Sequence, residues 1–391
     1  MSLNTQALDD LLELLDIPGK PAEEAQVADH IRQKLISLGI PENDIYIDHA
    51  QEQSEYGGNT GNLIVHLNGT DQGDRWMFST HMDTVPGAVG TIPKIAGDWI
   101  VSDAPGKALG GDNRAGCTAV LQVARALLAL NGQHPPVTLV FFIQEEVGLV
   151  GARGMDLTLL GDALPTLCFN FDGGAPDQLV TKVIGTERFN IHIQGVAAHA
   201  GARPEKGVSA ALIASLALAE LHQNGWHGKI DKPEGQGSAN IGEIEGGTGS
   251  NVVMPHLHIL AEARSHSPVF RKTILEKYQN TFKKYTASLQ SSEGLHGSVS
   301  FSPGPTYEPF DLGQESPVIV AAQQAAQSCK FETSCVTNNG GMDANRIVAH
   351  GIPAVTIGVG QENAHTPEER LNLPRFYQAC QFAVALATMR K

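Results

Sequence analysis

His81 and Asp83 stand two apart in the stretch FSTHMDTVP, residues 78–86. Residues two apart on an extended strand point the same way, so both side chains can share one face at a strand end. A ligating imidazole donates its second ring N–H to a carboxylate, which fixes the tautomer and raises ligand basicity. An H-x-D step is therefore a compact start to a metal site. Matching groups recur in four further segments: Asp112 in GGDNRAG, Glu145 and Glu146 in QEEVG, Asp172 in NFDGG and His365 in NAHTP. Taken singly, Asp112 suits a helix N-cap, Asp172 a turn before two glycines, and His365 an exposed loop. Glu145 and Glu146 follow the most apolar run of the chain, where adjacent carboxylates are costly unless something cationic receives them. GGDNRAG is not a phosphate loop, because no Gly-Lys-Ser/Thr follows it. Together the groups suit two divalent cations, with one carboxylate bridging and each cation taking a histidine and another carboxylate. Mixed imidazole and carboxylate donors suit zinc, with cobalt or manganese as alternatives. Such a pair acidifies a water and polarises a carbonyl. Of the paired glutamates, one binds and its neighbour handles the proton.

Groups so far apart in the chain meet only if the strands before them lie side by side. Residues 137–143, VTLVFFI, form an almost wholly apolar run that suits a central strand buried on both faces. Further strands are predicted at 45–47, 63–67, 75–79, 166–171, 332–336 and 354–359. Helices are predicted at 8–15, 21–38, 115–130, 148–155, 317–328 and 375–389. Alternation of strand and helix implies an α/β fold, a mostly parallel sheet with helices on both faces. Ligands of such sheets gather at the C-terminal strand ends, where these acids and histidines fall. The texture changes near Thr181. Strands at 187–196, 239–244, 252–261 and 297–301, with helices at 208–221 and 268–289, give the order β-α-β-β-α-β. Residues 184–299 are thus expected as an inserted α+β domain, and residues 1–183 with 300–391 as the domain that carries the site.

Composition agrees. A chain of 391 residues exceeds one ordinary core. Apolar content of 41% with 18% charged residues is that of a globular protein. The formal net charge of -15 argues against a nucleic-acid partner and against an anionic membrane surface. The N-terminal stretch threads Asp and Glu through its leucines and has no basic start, so it reads as an amphipathic helix and not a signal peptide. No run of about 18 apolar residues occurs. Five cysteines without a C-x-x-C pair suit reduced, buried thiols in a cytoplasmic protein.

The motifs STHMDTVP, GGDNRAG, QEEVGLVGA, NFDGG, GGMDANRIVAHGIPAVTIGVG and NAHTPEE, in this order and spacing, resemble those of the dinuclear zinc exopeptidases. That family includes peptidase T, the glutamate carboxypeptidases and the aminoacylases, and the peptidase T branch is nearest by GGMDANRI and by the aspartate at 172. The resemblance implies one metal on His81 and Asp172, the other on Glu146 and His365, and Asp112 bridging. It implies that Asp83 orients His81, that Glu145 is general base and then acid, and that the Asp112–Asn113 peptide is cis, a form rare outside proline. It implies a ferredoxin-like lid and homodimerisation module in the inserted segment. There His199 would stabilise the oxyanion, acting on a neighbouring subunit's site, while Asn251 and Arg264 would hold the substrate's backbone and carboxylate. His256 and His258 share a strand face with nothing converging on them and read as surface.

The activity expected is hydrolysis of an amide in a short peptide, as by an aminopeptidase or tripeptidase. The alternative is the same chemistry on a carboxypeptidase substrate or an N-acyl amino acid. A two-metal phosphoesterase would want Arg or Lys converging on a phosphate, and only Lys107 and Arg114 lie near the motifs. A non-catalytic binder is disfavoured by the intact Glu145 and full ligand set.

Overall fold

The computed structural model describes residues 2–389. The chain divides into two compact units, Met1–Lys182 with Asp311–Lys391, and Val183–Phe310, each with its own apolar core.

The first unit is built on one large sheet. Its strands lie in the order Ile45–Ile47, Leu63–Leu67, Val137–Phe142, Trp76–His81, Leu167–Phe171, Ala354–Ile357 and Gln178–Val183. The four strands from Val137–Phe142 to Ala354–Ile357 run parallel, and their outer neighbours are antiparallel to them. All six residues of Val137–Phe142 are buried. Val137, Leu139 and Phe141 enter a core with Leu11 and Leu14 of helix Leu3–Leu15, Val120 and Leu127 of helix Gly111–Ala129, and Phe376 and Phe382 of helix Leu373–Thr388. The alternate residues Val140 and Phe142 are equally buried, so both sheet faces are covered, as the continuous apolar run requires.

Three of the parallel strands are also tied by side chains. Ser79 Oγ donates to Asn170 Oδ1 at 2.9 Å, and Asn170 Nδ2 donates to Thr356 Oγ1 at 3.3 Å. This polar row crosses the sheet just before the strand ends that carry His81 and Asp172. A second, four-stranded antiparallel sheet of Gln361–Glu362, Arg370–Asn372, Trp99–Ser102 and Pro93–Ala96 was not expected. Two of its strands have only two or three residues, too short to show a period.

The second unit is a five-stranded antiparallel sheet in the order Gly228–Lys232, Gly235–Gly246, His256–Ser265, Gly185–Gln194 and Ser298–Tyr307. Helices Ala210–Gln223 and Pro268–Ser288 cover one face, packing Ile213, Ala217, Ile274, Tyr278 and Phe282 against Phe189, Ile191, Ile193, Ile259 and Ala261. The strand Gly228–Lys232 adds an edge to the expected β-α-β-β-α-β order. The unit also extends beyond residue 299. Ser298–Tyr307 is an edge strand, where Pro303 and Pro305 need not donate on their open side. A register shift between Pro303 and Thr306 absorbs the kink. On the other face His258 stacks on His192 at 4.8 Å and bonds Asn190 Oδ1.

Cys117, Cys168 and Cys380 are buried thiols, whereas Cys329 and Cys335 are only partly buried. No helix among the described residues is long and apolar enough to cross a membrane.

One glycine fixes how closely helix Gly111–Ala129 approaches the sheet. A Cβ on Gly116 would lie 2.3 Å from Thr80 Oγ1 and 2.4 Å from the Phe171 carbonyl oxygen. Gly116→Ala is expected to destabilise the protein by about 1–3 kcal/mol through overpacking. Urea unfolding of parent and variant measures this, and an unchanged midpoint would mean the helix start can retreat.

Candidate metal centre

His81 ends its strand, and Glu145–Glu146, Asp172 and His365 each follow the C-terminal end of a parallel neighbour. Asp112 approaches from the start of helix Gly111–Ala129, where Gly110 is the N-cap and Asp112 itself has non-helical backbone angles. The Asp112–Asn113 peptide is cis. The five groups meet. His81 Nε2 lies 3.3 Å from Asp112 Oδ1 and 3.8 Å from Asp172 Oδ1. His365 Nε2 lies 3.2 Å from Asp112 Oδ2 and 2.9 Å from Glu146 Oε2. Two donor groups result, His81–Asp112–Asp172 and Asp112–Glu146–His365, each with its ligand atoms within 4.8 Å of one another. Asp112 belongs to both through different oxygens.

Asp83 is wholly buried beneath the cluster. Its Oδ1 lies 3.3 Å from His81 Nδ1, and its main-chain oxygen 3.1 Å from the same nitrogen. Its two carboxylate oxygens accept the backbone N–H groups of Glu145 and Glu146 at 3.0 and 3.1 Å. One side chain thus orients the histidine and holds the acidic pair. Glu145 lines the cleft with His81, Asp112, Asp172 and His365, yet joins neither donor group. The cleft is about 290 Å³, at the small end of the range of roughly 300–1,000 Å³ for ligand sites. A second cleft of about 250 Å³ is lined by Ile17, Val89 and Leu109, with Asp16 and Arg114 as its charged members.

Several residues that sequence patterns did not mark support the cluster. Buried Glu369 accepts the N–H groups of Gly110 at 2.9 Å and Asp112 at 3.0 Å. Asn113 Nδ2 donates to the Phe171 carbonyl at 2.8 Å, and Gln361 Nε2 to Asn113 Oδ1 at 3.1 Å. Glu369 lies four residues past His365 in NAHTPEE, and that proximity is the only signal it offers. Asp343, inside GGMDANRI, is 1% exposed, and neither carboxylate oxygen has a hydrogen-bond partner among the described residues. Asn363 and His365 both hold positive φ, 55° and 68°, a conformation uncommon outside glycine and concentrated at functional loops.

Burial would raise the Asp112 carboxyl, but His365 and His81 on either side hold it well below the usual range. Burial pushes Glu145 well above its ordinary value and Glu146 up to about 7. Burial, then the charge of Asp112, also raises Asp172. Burial would depress His81, and Asp112, Asp172 and Asp83 override it and hold the imidazole well above its usual value. Hydrogen bonds to Asp112 and Glu146 bring His365 up to about 10. The metal-free cluster is thus short of positive charge and keeps protons to make up for it. Glu146 Oε1 is buried with no hydrogen-bond partner among the described residues, which suits a metal ligand. The set fits two divalent ions.

In the second unit His199 and Asn251 lie on neighbouring segments: His199 bridges to Val252, and Ala200 N–H donates to the Asn251 carbonyl at 2.9 Å. His199 is exposed, and its Nδ1 accepts the N–H groups of Gly201 and Ala202 at 3.2 Å, which places its proton on Nε2. Arg264, on strand His256–Ser265, is gripped by Glu262 at 2.8 and 3.1 Å.

Imidazoles and carboxylates sharing one aspartate at the end of a parallel sheet make this a metallohydrolase. The comparisons specify which kind. Residues 77–389 match the family described as peptidase family M20/M25/M40. The chain is 32% identical to the uncharacterised protein YqjE of Bacillus subtilis, over 97% of this chain and 96% of that one. Its fold is similar to that of the aminopeptidase PepT from Bacillus cereus, with 31% identity, a TM-score of 0.83 and 98% of each chain covered. It is also similar to a tripeptidase from Staphylococcus aureus, with 27% identity and a TM-score of 0.86 over 99% of this chain and 98% of that one. The chain belongs to peptidase family M20/M25/M40.

Protons on His81 and His365 must leave before a cation is held, so metal uptake releases protons. Zinc affinity of the full chain is expected to be higher at about pH 8 than at about pH 6, with proton release visible by calorimetry in buffers of different ionisation heat. Affinity independent of pH would remove these histidines from the ligand set. In the metal-free protein the sign is opposite. The raised His365 value means that its pairing stabilises the fold fully below about pH 6.5 and is lost as pH rises through about 10.

Proposed function

We propose that the protein hydrolyses an amide bond in a short peptide, with Glu145 as general base. The observation that carries this reading is the place of Glu145: it faces the cleft beside both donor groups while belonging to neither. Two divalent cations, zinc in this reading, held by His81, Asp112, Asp172, Glu146 and His365, would acidify a water and polarise the amide carbonyl. Glu145 would accept a proton at its carboxylate and would later deliver it to the leaving amine. Burial holds the Glu145 carboxyl well above its ordinary value, which favours return of that proton to the leaving amine. Asp83 keeps His81 and the Glu145 backbone in register. Likeness to an aminopeptidase and a tripeptidase over nearly the whole chain supports a peptide substrate.

Within the same proposal His199 supplies an N–H to the developing oxyanion, and Asn251 and Arg264 hold the substrate's backbone and carboxylate. To do so Arg264 must exchange Glu262 for substrate. The inserted unit, Val183–Phe310, also serves as lid and as the homodimer contact in this reading.

Glu145→Ala is expected to lower kcat by at least about a thousandfold while metal content stays at the parent's level. Retained turnover would sink the base assignment. Arg264→Ala is expected to raise KM by about tenfold or more for substrates bearing a free carboxylate. A panel of tripeptides, dipeptides and N-acetyl amino acids, assayed with zinc or manganese, separates the peptidase from the deacylase. Hydrolysis confined to the N-acetyl compounds would assign the latter.

A further inference from the structure

Glu24 is fully buried at the start of helix Ala25–Ser37. A side chain at that position commonly caps its own helix, but this one makes no such bond. Asn59 Oδ1 receives the N–H of Ala25 instead, at 3.0 Å. Glu24 turns the other way. Its Oε1 accepts the N–H of Gln144 at 3.0 Å and that of Ala22 at 3.1 Å. Its Oε2 is buried with no hydrogen-bond partner among the described residues.

Gln144 immediately precedes Glu145. Its φ is 52°, in the left-handed region that non-glycine residues enter at a cost. Here the chain leaves the sheet, and four successive N–H groups are each received by a side chain. Ile143 donates to Asn62 Oδ1 at 3.1 Å, Gln144 to Glu24, and Glu145 and Glu146 to the two oxygens of Asp83. Asn62 is held in turn by Asp48, through its backbone N–H at 2.9 Å and its Nδ2 at 2.8 Å. The turn that carries the base therefore owes its shape to three side chains from separate parts of the chain. Glu24 is the one placed on the strained residue.

We infer that Glu24 is a positioning residue for Glu145: by holding the N–H of Gln144 it fixes the left-handed turn and so the direction in which Glu145 enters the cleft. The inference rests on the reading of Glu145 as the base. Burial, and then the charge of Asp83, push the Glu24 carboxyl up to about 7. Neutral or charged, it keeps an oxygen for the Gln144 N–H.

The test compares Glu24→Ala and Glu24→Gln in the full chain loaded with zinc. Two readouts are taken: hydrogen exchange of the amides of residues 143–146 without substrate, and kcat and KM on a peptide that the parent cleaves. In Glu24→Ala the Gln144 amide should exchange at least about tenfold faster, and kcat should fall roughly 10–100-fold, with KM within about twofold of the parent and metal content unchanged. Glu24→Gln should recover both, because its amide oxygen accepts the same N–H. Parent-like exchange or parent-like kcat in Glu24→Ala overturns the inference. Glu24→Gln as impaired as Glu24→Ala also overturns it, since a bond to Gln144 would not then be the cause. If Glu24→Ala fails to fold, Glu24→Asp, one methylene shorter, replaces it with the same expected pattern. Glu145→Ala is run alongside. Full kcat in that control would show the base assignment to be at fault, and the exchange readout would still decide whether Glu24 holds the turn.

Discussion

Carboxylates resist being buried, and they resist being buried together. This protein nevertheless gathers Asp83, Asp112, Glu145, Glu146, Asp172 and Asp343 at one edge of one sheet. Its answer divides the acids by the direction they face. Asp83, Glu24 and Glu369 turn toward the backbone, where each accepts two N–H groups. Asp112, Glu146 and Asp172 turn toward the cleft, where His81 and His365 are the positive partners until ions arrive. The inward acids hold backbone beside the outward ones, and the excess negative charge that remains fits divalent cations.

That division needs a stiff frame. Four parallel strands present their ends on the same side, which no run of hairpins would do. The Ser79–Asn170–Thr356 row and the closeness of Gly116 to Thr80 and Phe171 limit how far one strand can slide against the next or the helix can lift away. The donors sit on strand ends and a helix start, but His365 sits on a tight loop. Its half-exposed side chain makes it the donor with the least packing around it.

Legibility in the sequence followed the physical range of each signal. Local features were readable: the apolar run at 137–143, the N-terminal helix, and the change of texture near Thr181. The five clustered side chains stood out because acids and histidines directly after buried strands have few ordinary explanations. Supporting residues fixed by contacts between distant segments left little or no trace. Glu24 meets Gln144 across 120 residues and resembles any other acid at a helix start. Glu369 and Gln361 act on Gly110–Asn113 from the far end of the chain. The inserted unit runs past residue 299 through Pro303 and Pro305 for a related reason. They signal a strand's end on average, yet an edge strand with a register shift tolerates both.

The first unit is interrupted by the second, and this bears on biosynthesis. Emerging from the ribosome, the chain offers His81, Asp112, Glu146 and Asp172 long before Ala354–Ile357 takes its place beside Leu167–Phe171. Until then the nascent sheet has an open edge, and His365, which completes the donor group with Glu146, has not yet been translated. The group Asp112–Glu146–His365 is accordingly incomplete in the half-made polypeptide. That group closes only with the last stretch of translation, after the interrupting unit already has all of its own strands.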